Sequence, residues 1–207
     1  MKIKLIIFDF DGTIVDSKAI YYNSFKKNIA NISIKEIDKI INKGHTLSGL
    51  LSELRFSWIG KWIIKRKIMG DVFKNLDKVK KCRDAGSIKE IKVRRILVTN
   101  SSLDYTRPLI KRLKLKKYFK EVYGADNFDS KEDFIGEYIK KRKLKKQEVM
   151  YVGDRVTDVE LAKNLGIIGV AVAGKCAWNS RKELLQAGPD FIVEDIKEIN
   201  KLIKQDL

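Results

Sequence analysis

The segment Asp9-Phe10-Asp11-Gly12-Thr13 closes a short apolar run, Ile3 to Phe8, with two carboxylates separated by one residue. Two like charges at one strand end repel unless a cation compensates them. Oxygen-only ligands suit Mg²⁺, and a metal-held carboxylate beside a phosphate can attack phosphorus to give an aspartyl phosphate. Gly12 allows the sharp turn that such a strand end needs. A bare Asp-x-Asp-Gly nevertheless reads first as an ordinary acidic turn, because Asp-Gly is a common turn signal.

Two more segments put polar groups at the end of an apolar run. Ile96 to Val98 leads into Thr99-Asn100-Ser101-Ser102, a set of hydroxyl and amide groups ahead of a helical pattern. Thr99, Asn100 and the amides that follow suit the oxygens of an anion at a helix N-terminus, and suit a helix cap equally well. Val149 to Val152 leads into Gly153-Asp154-Arg155-Val156-Thr157-Asp158, with two acids four apart. Asp154 is placed to ligate a metal. Asp158, one helical turn on, would accept hydrogen bonds from metal-bound water, orient a lysine, or simply cap its helix. Lys131 could neutralise charge on the same anion, but among 44 lysines and arginines it carries almost no signal by itself.

The elements that must position these residues follow from periodicity. The three apolar runs look like buried parallel strands that deliver chemistry at their carboxyl ends. Helical patterns at about 104 to 117 and 131 to 145 are spaced as crossovers, and Ile167 to Ala173 and Phe191-Ile192-Val193 continue the sheet. The expected fold is therefore α/β, a doubly wound, mostly parallel, Rossmann-like sheet. Ligands of such sheets bind in the crevice outside the strands' carboxyl ends, so the three polar tips should converge. Between them the chain changes character, with helical spacing in Tyr21 to Ile29, Ile34 to Ile41, Leu47 to Leu54 and Trp58 to Met69. We expect core residues 1–15 and 86–207, interrupted by a helical domain at 16–85.

The order of these motifs and their placement at strand tips resemble the haloacid dehalogenase superfamily of phosphohydrolases. The resemblance covers Met1 to about Thr13 and about Ile96 to Ala173. The insertion at 16–85 resembles the small helical cap of the phosphoglycolate phosphatase and β-phosphoglucomutase branch. By that resemblance Asp9 is the nucleophile and Asp11 the general acid/base, which also offers its backbone carbonyl to a Mg²⁺ shared with Asp9 and Asp154. Thr99 and Asn100 bind phosphate with Lys131, and Asp158 stands in the second shell. Lys131 departs from the family pattern, because Glu132-Asp133 follows it where a proline often stands. The implied activity is Mg²⁺-dependent hydrolysis of a small phosphate monoester, with phosphoglycolate the leading substrate. A phosphomutase uses the same residues and is the alternative. The presence of Asp11 argues against the phosphonate-cleaving branch. His45, in Gly44-His45-Thr46, and Arg55, Trp58 and Arg66 are the candidates for leaving-group contact in the cap.

Composition narrows the remaining classes. No apolar run approaches the length of about 20 residues that a membrane helix needs, so a cytoplasmic protein without a membrane partner is expected. The formal net charge of +17 leaves open a nucleic-acid partner, or a phosphatase acting on nucleic-acid ends. The lysines are scattered, however, and the leucines among the clusters at 111–117 and 140–146 make those clusters read as solvated helix faces. The abundance of Lys and Ile with little Gln fits a thermophile. Cys82 and Cys176, far apart and without paired spacing, read as reduced thiols. A monomer or homodimer is expected.

Overall fold

The structure, a computed structural model, describes residues 2–43 and 57–204 of the 207-residue chain. It divides into two compact units, Met1–Asp16 with Lys81–Leu207, and Ser17–Lys80.

The larger unit is a parallel sheet with helices on its faces. Its strands are β1 (Leu5–Phe8), β4 (Arg94–Val98), β5 (Glu121–Tyr123), β6 (Val149–Gly153), β7 (Ile168–Val172) and β8 (Phe191–Val193). They lie in the order β5-β4-β1-β6-β7-β8, with every pair parallel. Two short strands, β2 (Val15–Asp16) and β3 (Lys80–Lys81), form a separate ribbon. Every residue of β1 and β6 is buried, the consequence of helices covering both faces of a parallel sheet. On one face Leu5, Ile7, Ile96, Val98, Val149 and Tyr151 pack against Ile135, Tyr138 and Ile139 of α5 (Lys131–Lys141) and Leu161 and Ala162 of α6 (Val156–Leu165). The α/β, mostly parallel architecture expected from the apolar runs is the one observed.

Register decides where the polar tips end up. Phe8 of β1 lies level with Leu97 on one side and Val152 on the other. Asp9, Thr99 and Asp154 therefore leave the sheet within about one residue of the same level. The chain runs outward from β1 to β4 and β5, then crosses back to β6, so the strand order reverses beside β1. That reversal opens the crevice in which doubly wound sheets bind ligands.

The crossover helices stop earlier than leucine spacing suggests. Helix α4 (Leu103–Arg112) and α5 are followed by Lys114 and Lys143 with φ of 55° and 53°. A left-handed residue ends the helical path, and Leu115 then turns into the core, fully buried. Strand β5 was not anticipated; with three residues and a charged Glu121 at its head it has no recognisable apolar run.

In the smaller unit, α1 (Lys18–Asn28) packs on α3 (Trp58–Lys74), with α2 (Ile34–Lys43) beside it. Ser24 Oγ donates to the Ile68 carbonyl at 2.9 Å, and Asp71 accepts from Lys27 and Asn28, each at 2.6 Å. Tyr22 donates to Asp38. The helix expected at Leu47 to Leu54, and with it His45 and Arg55, lies outside the described residues. Trp58 and Trp62 are exposed, and Arg66 stacks over the Trp62 ring.

One expectation is overturned. Cys82 and Cys176 are joined in a disulfide, with their Cα atoms 6.0 Å apart across 94 residues of sequence. Cys82 is fixed beside the β1 loop, where its N–H donates to the Ile14 carbonyl at 3.0 Å, and Cys176 follows β7. Linear separation carries no information about such a meeting; the parallel crossovers bring both loops to one end of the sheet.

Candidate active site

At the carboxyl ends of β1 and β6, Asp9, Asp154 and Asp158 are buried together, each offering a carboxylate oxygen within 4.8 Å of the others. Lys131, the first residue of α5, is buried with them although lysine is rarely found inside a protein without a partner. Its Nζ donates to Asp9 Oδ1 at 2.6 Å and stands 3.7 Å from Asp158 Oδ1. It also lies 5.1 Å from the centre of the Tyr151 ring. Ser130 holds the start of α5 by accepting from Asp133 N–H, which fixes the direction in which Lys131 leaves the helix. Among the described residues it is the one lysine that is buried.

Asp154 is fully buried and held by both oxygens. Thr13 Oγ1 donates to Oδ1 and the Trp178 N–H to Oδ2, each at 2.7 Å. Asp158 accepts from the Tyr151 hydroxyl at 3.1 Å and from the Arg155 N–H, at the start of its own helix, also at 3.1 Å. One side chain thus caps its own helix and stands within ion-pair distance of Lys131. Two glycines make room for this. Gly12 has φ of 82°, and a Cβ there would strike Asp154 Oδ2 and the Trp178 ring. At Gly153 a Cβ would strike the carboxyl group of Asp158.

The buried acids repel one another. Burial raises the Asp9 pKa from 3.8 to about 6; Lys131 lowers it and the charge of Asp158 raises it further. Burial likewise pushes Asp154 well above the ordinary carboxylate range, helped by the charges of Asp158 and Asp9. Three carboxylates against one ammonium leave uncompensated negative charge in a buried, all-oxygen donor set. Such a set fits a hard divalent cation such as Mg²⁺.

Asp11 is turned elsewhere. Its carboxylate accepts from Ser101 Oγ at 2.6 Å and from the Tyr105 hydroxyl at 2.8 Å. Thr99 is buried at the tip of β4, where its Oγ1 accepts from Ser101 N–H at 3.1 Å and keeps its own hydrogen to donate. Asn100, next to it, is half-buried. The seven candidate residues thus come from the tips of β1, β4 and β6 and the starts of α5 and α6. Thr13, Ser101, Tyr105, Tyr151 and Trp178 were not anticipated as their partners. Ser101 precedes α4 and Tyr105 lies in its first turn, so their nearness in sequence to the β4 tip is the signal these two offer.

A model of haloacid dehalogenase-like hydrolases matches residues 6–172, most of the chain. The protein belongs to the haloacid dehalogenase-like hydrolases. Among curated relatives of this hydrolase, a phosphoglycolate phosphatase from Synechococcus elongatus is 24% identical over 209 residues, covering 97% of both chains. A protein named as a pyrophosphatase, PpaX, from Caldanaerobacter subterraneus subsp. tengcongensis is 28% identical, covering 99% of this chain and 96% of its own. Among solved structures, a haloacid dehalogenase-like family hydrolase from Streptococcus pneumoniae superposes with a TM-score of 0.82 at 20% identity, covering 97% and 98% of the two chains. No helix among the described residues is long and apolar enough to cross a membrane.

Proposed function

We propose that this hydrolase is a Mg²⁺-dependent phosphate monoesterase that works through an aspartyl phosphate on Asp9. The observation that carries the reading is the buried Asp9–Lys131 pair set against Asp154 and Asp158, an excess of buried negative charge that a divalent cation would offset. The relatives named as phosphatases support the reaction class.

Asp9, Asp154 and the Asp11 backbone carbonyl would hold the metal. When bound, Mg²⁺ supplies charge that stabilises the transferring phosphoryl oxygens. Asp9 is the attacking carboxylate. Lys131 fixes its orientation and, with the Thr99 hydroxyl and the Asn100 side chain, donates to phosphoryl oxygens where negative charge gathers. Asp158 keeps Lys131 in place. Asp11 gives a proton to the leaving oxygen and afterwards takes one from the water that opens the aspartyl phosphate. The smaller unit, Ser17–Lys80, acts as the cap that chooses the leaving group, and phosphoglycolate is the leading substrate. We place the enzyme in the cytoplasm; a disulfide there is characteristic of intracellular proteins of hyperthermophiles, which the Lys- and Ile-rich composition also suggests.

The test is phosphate release from a panel of monoesters including phosphoglycolate, with pyrophosphate beside them, in Mg²⁺ and in EDTA. Metal-dependent release that Asp9→Asn abolishes is expected. Full activity in Asp9→Asn would refute the nucleophile. Folded protein that releases phosphate from nothing in the panel would overturn the small-ester reading and turn attention to phosphoryl transfer between sugars or to nucleic-acid ends.

A further inference from the structure

A buried tyrosine usually spends its hydroxyl on a partner, and the partner identifies its task. Tyr105 is fully buried in the first turn of α4, its ring standing edge-on to Phe10 at 6.4 Å and 84°. Phe10, also fully buried, lies between the two acids of the β1 tip. The Tyr105 hydroxyl donates to Asp11 Oδ1, while Ser101 Oγ takes the other oxygen, Oδ2. Phenylalanine would fill nearly the same core volume, so packing alone does not call for the hydroxyl.

We propose that Tyr105 and Ser101 are positioning residues that hold the Asp11 carboxyl group in one orientation by engaging both of its oxygens. This rests on the reading of Asp11 as the acid/base. A hydroxyl can both donate and accept, so it can also take a hydrogen from the carboxyl group; an ammonium or an amide N–H can only donate. The contrast with Asp9, whose partner Lys131 can only donate, matches two different tasks. In the first step a bond forms from an Asp9 oxygen to phosphorus and the bond from phosphorus to the leaving oxygen breaks. The Asp11 proton passes to that oxygen, giving a free alcohol and the Asp11 carboxylate. In the second, a water oxygen bonds to phosphorus, one water proton passes to Asp11, and the bond from phosphorus to Asp9 breaks to release phosphate. Asp11 thus returns to its starting form after each cycle, and its two oxygens must stay aimed at the same place throughout.

The experiment compares phenyl phosphate with p-nitrophenyl phosphate, two esters of nearly the same shape whose leaving groups differ in their need for a proton. Because kcat/KM reports only steps through the first irreversible one, it isolates proton delivery to the leaving group from the later hydrolysis. General acid catalysis supplies about 10²–10⁴-fold, and Tyr105→Phe should lose about tenfold of it with phenyl phosphate and much less with p-nitrophenyl phosphate. Ser101→Ala should shift the ratio in the same direction, and Asp11→Asn furthest. A merely structural defect would slow both esters alike. An unchanged ratio in folded Tyr105→Phe and Ser101→Ala, beside a shifted ratio in Asp11→Asn, would overturn the positioning role and leave the acid assignment standing. An unchanged ratio in Asp11→Asn would overturn that assignment, and the proposal with it.

Discussion

Replacing Asp9 by asparagine should stop turnover and make the metal-free protein more stable. Asp9 is buried, and its pKa stands at about 6 against 3.8 for an ordinary aspartate. That difference corresponds to about 3 kcal/mol in favour of the protonated form inside the fold. Because the folded value lies above the unfolded one, the carboxylate costs nothing below about pH 4. Its cost grows between about pH 4 and 6, and is complete above that. Asparagine has the shape of the protonated acid and never ionises. Lys131 keeps Asp158 Oδ1 at 3.7 Å as a second partner. For a chain of this size about 3 kcal/mol corresponds to about 6–12 °C in melting temperature. Melting curves of wild type and Asp9→Asn in EDTA, from pH 4 to 7.5, should therefore coincide at pH 4 and separate by that amount at pH 7, the variant melting higher. Carboxylates such as Glu121 and Glu148, which are held below their usual range, weaken both proteins equally in acid and cancel in the difference. Saturating Mg²⁺ should stabilise wild type more than the variant and close the gap. A variant that melts lower than wild type at pH 7 in EDTA, or a gap that persists at pH 4, would refute the claim that buried charge at Asp9 is held at a cost.

Three other outcomes are expected. Gly12→Ala forces a side chain into a left-handed backbone, at a cost of about 1–2 kcal/mol, and into Asp154 and Trp178. Its Mg²⁺ requirement in phosphate release should rise about tenfold or more, as when the supports of a metal ligand are disturbed, and an unchanged Mg²⁺ titration would count against this packing of Gly12 on Asp154. Lys131→Met leaves the Asp9 and Asp158 carboxylates without their shared cation, and kcat should fall by about 10²–10³-fold; wild-type turnover would remove Lys131 from the site. Unreduced protein should label no thiols, and Cys82→Ser should lower stability by about 2–4 kcal/mol, the usual worth of a disulfide. Two thiols labelled without reductant would show that the bond between Cys82 and Cys176 does not form.

Much of the sheet could be read directly, because a buried parallel strand is a local pattern. Ile3 to Phe8, Ile96 to Val98 and Val149 to Val152 announce themselves as apolar runs, and each ends in the polar residues found at its tip. Strand β5 escaped because Glu121-Val122-Tyr123 is half-exposed at the sheet edge, where burial imposes no apolar pattern. Helices α4 and α5 end before their apolar spacing does, since the leucines beyond Lys114 and Lys143 continue to face the core after the backbone has turned.

Taken alone, the sequence determined the residue types at each strand tip and the fold that gathers them, because turn chemistry and hydrophobic period depend on neighbours in the chain. Which groups actually meet was decided by tertiary structure. Asp9 and Lys131 are 122 residues apart, Thr13 and Asp154 are 141 apart, and Asp11 and Tyr105 are 94 apart. No local pattern separates Lys131 from 43 other basic residues; its burial against Asp9 and Asp158, which the packing of α5 on the sheet decides, does so. The same holds for Cys82 and Cys176, joined because two loops end at one edge of the crevice. Partner choice over such distances depends on how the sheet is wound, and a side chain becomes part of the site only once packing has excluded the water that would otherwise solvate it.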